Sequence, residues 1–286
     1  MSRVFDDRVC KLGEGPLWHP TRQQFFWFDI LGKRLLSQTN DGPLEWCFDE
    51  HVSAAGWIDE NTLLMASETG LWKLSLNDSS LDLVTPLEAN NPVTRSNDGR
   101  ADPWGGFWIG TMGKNAEPDA GAIYRYYKGE LHKLFSPITI SNAICFSPDR
   151  NFAYYTDTVT QLVMRQALEA TDGWPVGQAE VFLDLQEEDL NPDGAVIDAE
   201  GNMWLAQWGA CRVAVYGPNS TFMKSIEFDA LQTSCPAFGG HDLTTLFCTT
   251  AAIGLKTVTL EKQPQNGMTF SHKNAGLGQA EHQVIL

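Results

Sequence analysis

The chain has 286 residues and a formal net charge of −16, from 20 Lys and Arg against 36 Asp and Glu. So acidic a surface excludes nucleic acid and an anionic membrane face as expected partners, because both are bound through clustered Lys and Arg. Proline and glycine are spread evenly, with no linker or low-complexity block, and residues 1–286 read as one domain.

The N-terminal stretch MSRVFDDRVCKLGEGP lacks the basic segment and apolar core of a secretory signal, and no apolar run is long enough to cross a bilayer. A cytoplasmic location is the expectation. Either Arg3 to Val9 or the C-terminal HQVIL is expected to supply an edge strand. The first clear unit is LWHPTRQQFFWFDI, Leu17 to Ile30: an apolar strand, a polar turn and an aromatic strand ending in an acidic residue.

That template recurs along the chain. Six copies have second strands carrying Trp27, Leu64, Trp108, Tyr154, Trp204 and Phe247, and a period of roughly 40 to 50 residues is the signature of a β-propeller. Third strands follow as GKRLLSQT, GLWKLSL, GAIYRYY, QLVMRQAL, CRVAVYG and GLKTVTL, and fourth strands include GELHKLF and AEVFLDL. The predicted fold is all-β: a six-bladed β-propeller with four-stranded antiparallel blades around a central channel. The recurring tryptophans are expected to pack between blades, with Trp208 near a channel mouth.

Aligning the units at their first turns (Pro20, Glu60, Pro103, Pro148, Ala199) places Glu14, Ala54, Asn97, Asn142 and Asp193 at one repeat position. The sixth member is Ser234 or Cys235. Equivalent ends of innermost strands form a ring around the channel. Two carboxylates and two amides there repel one another or go unsatisfied unless a cation sits between them. Their oxygens suit a hard divalent ion, Ca²⁺, Mg²⁺ or Mn²⁺, though Zn²⁺ or Fe²⁺ is also compatible. Asn and Asp before Gly also cap turns routinely, but turn chemistry does not require one register in every blade.

Other chemistries lack support. Six cysteines (Cys10, Cys47, Cys145, Cys211, Cys235, Cys248) show no CxxC pair and are expected to be reduced, most of them among apolar neighbours. No HExxH, GxSxG, P-loop or GxGxxG motif occurs. The histidines are expected on the surface or in turns, His241 near the sixth turn being the one most worth locating.

The motifs LGEGPLW, RSNDGRADPWGGFWIGTM, ISNAICFSPD and NPDGAVIDAEGNMWLAQWG together resemble the SMP-30/gluconolactonase/LRE family of sugar lactonases, in order and through nearly the whole chain. The resemblance implies a six-bladed propeller that hydrolyses aldonolactones with one divalent metal, Ca²⁺ foremost. It implies Glu14, Asn142 and Asp193 as metal ligands, Arg95 and Asn97 as substrate contacts, and an acidic contact after GTM, for which Glu117 is chosen over Asp119. Asp193, a ligand beside the attacking water, is the expected general base. Two other readings stay open: a non-catalytic calcium-binding or interaction propeller, and an ester or organophosphate hydrolase using the same metal site.

Overall fold

The computed structural model describes all 286 residues and shows six four-stranded antiparallel sheets arranged as the blades of a propeller. All six anticipated second strands exist: Gln24–Asp29, Thr62–Ser67, Phe107–Gly113, Phe152–Asp157, Met203–Trp208 and Thr245–Ala251. The innermost strands, such as Gly13–His19 and Asn191–Ile197, are buried almost throughout, whereas outermost strands such as Gly42–Cys47 and Leu81–Pro86 face solvent. Burial therefore falls from axis to rim, as radial packing of sheet on sheet demands.

Between blades the side chains of two sheets interleave. Phe26, Phe28 and Leu35 of the first blade meet Leu63, Met65 and Leu74 of the second. Trp18, Phe25, Trp27 and Leu36 meet Ala237 and Phe247 across the junction of the first and sixth blades. Trp27, Trp108 and Trp204 are fully buried, in keeping with a packing role.

The ring closes through the N-terminus. Arg3–Asp6 pairs antiparallel with Thr269–His272 and forms the outer strand of the sixth blade. Phe5 packs its ring edge-on against Phe25, Trp27 and Phe247, at 4.9 Å between centroids for the last. Phe5→Ala is expected to lower stability by about 2 kcal/mol, the lower end of an aromatic truncation because Phe5 is only half-buried. Equilibrium urea unfolding measures it.

One sequence expectation needs correction here. GLKTVTL is not the third strand of the sixth blade: the chain forms a six-residue helix, Thr257–Lys262, and Thr269–His272 takes the strand position. Alternation of Thr with Val and Leu mimics a strand, but Val258 is 51% exposed, whereas Phe270 is 1% exposed inside the blade junction. Of the two candidate edge segments the N-terminal one supplies the strand, and the C-terminal HQVIL adds none. Residues 277–286 run as a strap across one end of the channel, with Ala199 donating to the Leu277 carbonyl, Val284 to that of Trp57 and Ile285 to that of Gly105.

All six cysteines are free. His241 lies exposed in a turn, but His19 is buried in an innermost strand, its Nε2 2.9 Å from the Asp59 carbonyl. No helix is long and apolar enough to cross a membrane.

Candidate active site

Each innermost strand breaks register, at Glu14/Leu17, Val52/Ala54, Ser96/Gly99, Asn142/Cys145, Pro192/Ala195 and Thr233/Cys235, and that of the second blade does so again at Trp57/Asp59. A bulge re-aims a side chain that regular pleating would send into a sheet face. Recurring at one level in all six blades, the bulges turn the ring residues toward the axis. The glycine after each carboxylate permits this. A Cβ on Gly15, which has φ of 52°, would collide with the Ser53 carbonyl, and one on Gly194 with Cys235.

Glu14, Arg95, Asn97, Asn142 and Asp193 line one cavity of about 420 Å³ at this end of the channel. Ala54 instead packs in the core, and Ser234 donates its hydroxyl hydrogen to the Gly13 carbonyl at 2.5 Å. Trp208 lines the mouth, as its position after the second strand implied. Glu117 is placed differently. Its exposed carboxylate turns back to accept from the backbone N–H and side-chain amide of Asn115, at 3.0 and 2.9 Å, so the loop reaches the cavity through Asn115 and Ala116. Asp119 does not line the cavity either; its N–H donates to Thr139 Oγ1 at 3.1 Å.

A polar chain spans the cavity floor. Arg95 Nη1 donates to Asn97 Oδ1 at 2.7 Å, and Asn97 Nδ2 donates to Asn142 Oδ1 at 3.0 Å. Asn142 Nδ2 donates to Thr158 Oγ1 at 3.0 Å, and the Thr158 hydroxyl donates onward to the Pro192 carbonyl at 2.8 Å. Having spent its hydrogen on Pro192, Thr158 can only accept from Asn142. That fixes the Asn142 amide with its oxygen toward the cavity. Thr158 follows the second strand of its blade and has no counterpart in the repeat, which is why periodicity does not flag it.

The electrostatics are lopsided. Burial pushes the Glu14 carboxyl up to about 8, helped by the charge of Asp98 and opposed by the Gly15 N–H and Arg95. Asp193 rises well above the carboxylate range through burial, then through Glu14 and Asp98. Burial lowers the Arg95 guanidinium to about 10, against Glu14, Glu68 and Asp193. Asp98, one residue beyond the ring, is pushed to about 6 by burial while accepting the Ile144 N–H at 2.7 Å. At the rim, Lys114 Nζ lies 2.7 Å from Glu68 Oε2, and Glu68 also pairs with His51.

The donor set fits a hard divalent cation. Within the protein, Glu14 and Asp193 gain hydrogen bonds only from the N–H of the following glycine, leaving most of their lone pairs facing the cavity. With the Asn142 oxygen they offer oxygen donors alone, two of them anionic, and that chemistry suits Ca²⁺, Mg²⁺ or Mn²⁺ before softer ions. No group of three or more His, Cys, Asp and Glu side chains stands together anywhere in the chain, this cavity included, where the third oxygen is the amide of Asn142.

Comparison with known proteins identifies the family. Residues 12–252 match the model of the SMP-30/Gluconolactonase/LRE-like region. An L-arabinolactonase of Azospirillum brasilense is 31% identical over 98% of this chain and 94% of its own length. A pentonolactonase of Haloferax volcanii is 30% identical over 88% of this chain and 85% of its own. The crystal structure of a calcium-binding protein, regucalcin, from Agrobacterium tumefaciens superposes with a TM-score of 0.98 at 38% identity, covering 100% of this chain and 98% of that one.

Proposed function

The chain belongs to the SMP-30/gluconolactonase/LRE-like family, and from that premise we propose that it is a sugar lactonase opening pentono- or hexono-lactones to aldonic acids with one divalent cation held by Glu14, Asn142 and Asp193. The observation that carries the reading is the convergence of two hydrogen-bond-poor buried carboxylates, an oriented amide oxygen and a buried arginine on one cavity. The similarity to lactonases over nearly the full chain supports the reaction class.

When bound, the cation supplies Lewis acidity toward the lactone carbonyl and lowers the pKa of water. The remaining work falls to the protein. Asp193 accepts a proton from the attacking water as oxygen adds to the carbonyl carbon. It returns that proton to the ring oxygen as the acyl–oxygen bond breaks, so one water is consumed and a hydroxy acid leaves. Arg95 and Asn97 point to one side of the cavity and hold the carbonyl oxygen or the adjacent hydroxyls, fixing orientation. Arg95 Nε is buried without a partner in the protein. Glu117 would reach a sugar hydroxyl only by releasing Asn115.

The test is a panel of sugar lactones assayed after chelation and again after single-metal re-addition. Hydrolysis that chelation abolishes and one divalent ion restores supports the reading; turnover indifferent to chelation would falsify the metal assignment. Metal binding without turnover of any lactone would favour a non-catalytic calcium-binding propeller. A higher kcat/KM on aryl esters than on sugar lactones would favour the ester-hydrolase reading.

Thr158 provides a finer check. Thr158→Val keeps the shape but removes the hydroxyl that orients Asn142, and partners of this kind are worth about 10- to 100-fold in metal affinity. Calorimetry is expected to show that loss in divalent-ion affinity, with an unchanged circular dichroism spectrum.

A further inference from the structure

The cavity has two unlike walls above its polar floor. The polar side chains beside Arg95 and the carboxylates are largely committed. Thr158 serves Asn142 and Pro192, Asn115 Nδ2 donates to Glu117, and Lys114 is paired with Glu68. What capacity remains, the other hydrogens of Lys114 and the oxygen of Asn115, stands on one stretch following the second strand of the third blade.

Most of the remaining wall is apolar. Leu12 and Ile253 meet at the junction of the first and sixth blades, where the Ile253 N–H donates to the Lys11 carbonyl. Trp208 ends the second strand of the fifth blade, and Met112 bridges to Ile140 between the third and fourth. Apart from the indole N–H of Trp208, none of these five side chains offers a hydrogen-bond donor, and the Met112 thioether is at most a weak acceptor.

A bound lactone has its carbonyl at Asp193 and its neighbouring hydroxyls at Arg95 and Asn97, so its far end lies against the mouth. A primary hydroxyl pressed on the apolar arc would lose water and gain at most the Trp208 indole N–H, whereas a methyl there only leaves water. We propose that the arc of Leu12, Met112, Ile140, Trp208 and Ile253 selects lactones with an apolar end remote from the carbonyl, 6-deoxyhexonolactones over their hydroxylated parents. The inference rests on the lactonase reading and narrows its substrate class.

Matched pairs test it: L-rhamnono-1,4-lactone against L-mannono-1,4-lactone, and D-fucono-1,4-lactone against D-galactono-1,4-lactone, which differ only by the terminal hydroxyl. The deoxy member is expected to have the higher kcat/KM, by about tenfold. Ile253 is 42% exposed, and Ile253→Asn, which gives the hydroxyl a partner without touching the core, is expected to bring the ratio close to one. Parents hydrolysed as well as or better than the deoxy members by the wild type overturn the proposal, as does a preference that Ile253→Asn leaves intact.

Calorimetric binding of the same pairs to Asp193→Asn separates this proposal from the lactonase reading. Tighter binding of the deoxy members with no turnover by the wild type leaves the arc standing and removes the reaction. Equal binding, or none, removes the arc.

Discussion

Asp193→Asn is expected to abolish lactone hydrolysis, by about 10³-fold or more in kcat, because it removes the proton acceptor and an anionic ligand together. The same change is expected to stabilise the cation-free protein. Glu14 and Asp193 are buried, the charges of Glu14 and Asp98 push the Asp193 carboxyl up further, and only Arg95 and the N–H groups of two glycines oppose them. An amide in place of one carboxylate ends that repulsion while keeping the shape. Activity and stability then move in opposite directions, the mark of a site built around charge. A variant that lost activity through misfolding would show both falling, and a thermal scan beside the kinetic assay distinguishes the cases.

The pH dependence follows with a definite sign. With Glu14 at about 8 in the folded, cation-free protein and near the usual carboxylate value when unfolded, the folded state holds a proton that the unfolded state has released throughout that interval. Stability of the cation-free wild type therefore falls as pH rises from the ordinary carboxylate pKa toward 8. A saturating divalent ion replaces the proton and is expected to flatten the profile. Midpoints of urea denaturation across that range, with and without the ion, measure both effects.

How much of this was legible in the sequence depended on what repeats. The six second strands were found because Trp27, Trp108, Trp204 and their counterparts fill equivalent places between blades, and equivalent places select similar residues. The ring at Glu14, Asn97, Asn142 and Asp193 was found because each bulge falls at the same repeat position. Features that occur once stayed hidden. Thr158 orients a single amide, the His51–Glu68–Lys114 cluster sits at one arc of the rim, and the helix Thr257–Lys262 is an insertion in one blade. The loop holding Glu117 shows a different limit: the family resemblance implies a carboxylate near the cavity, but the bond to Asn115 decides where it points.

Removing residues 277–286 is expected to have the largest effect on stability. The ring residues stand where the innermost strands begin, whereas the strap crosses where they end, at Trp57, Phe146 and Ile197. It therefore seals the opposite end of the channel. Its Glu281 accepts from Arg100 Nη1 at 2.6 Å, with the two side chains 8% and 11% exposed. The Glu281 carbonyl takes the Trp57 indole N–H at 2.9 Å, and Val284, 1% exposed, packs over Gly56. Beneath the strap a cavity of only about 20 Å³ remains among Arg100, Cys145, Glu281 and their neighbours, room for about one water.

Truncation would leave Arg100 without its carboxylate in the channel, a loss of about 3–5 kcal/mol by itself, and would open the apolar floor to water. A fall in midpoint of about 10 °C or more is the expected result. Two substitutions separate charge from packing. Glu281→Ala is expected to reproduce most of the loss. Arg100→Met with Glu281→Met, which removes both charges and keeps the volume, is expected to restore most of it, since a buried ion pair contributes little net stability over apolar side chains of its size. Were Glu281→Ala harmless, the strap would act by packing alone, through Val284. The strap also carries an acid sensitivity of its own: burial pushes His282 down to about 4, so the unfolded chain takes up a proton that the folded one refuses between the ordinary histidine pKa and 4. The strap's contribution is present above that window and is lost as pH falls through it, which predicts a shallower acid limb in the protein lacking residues 277–286 than in the full chain.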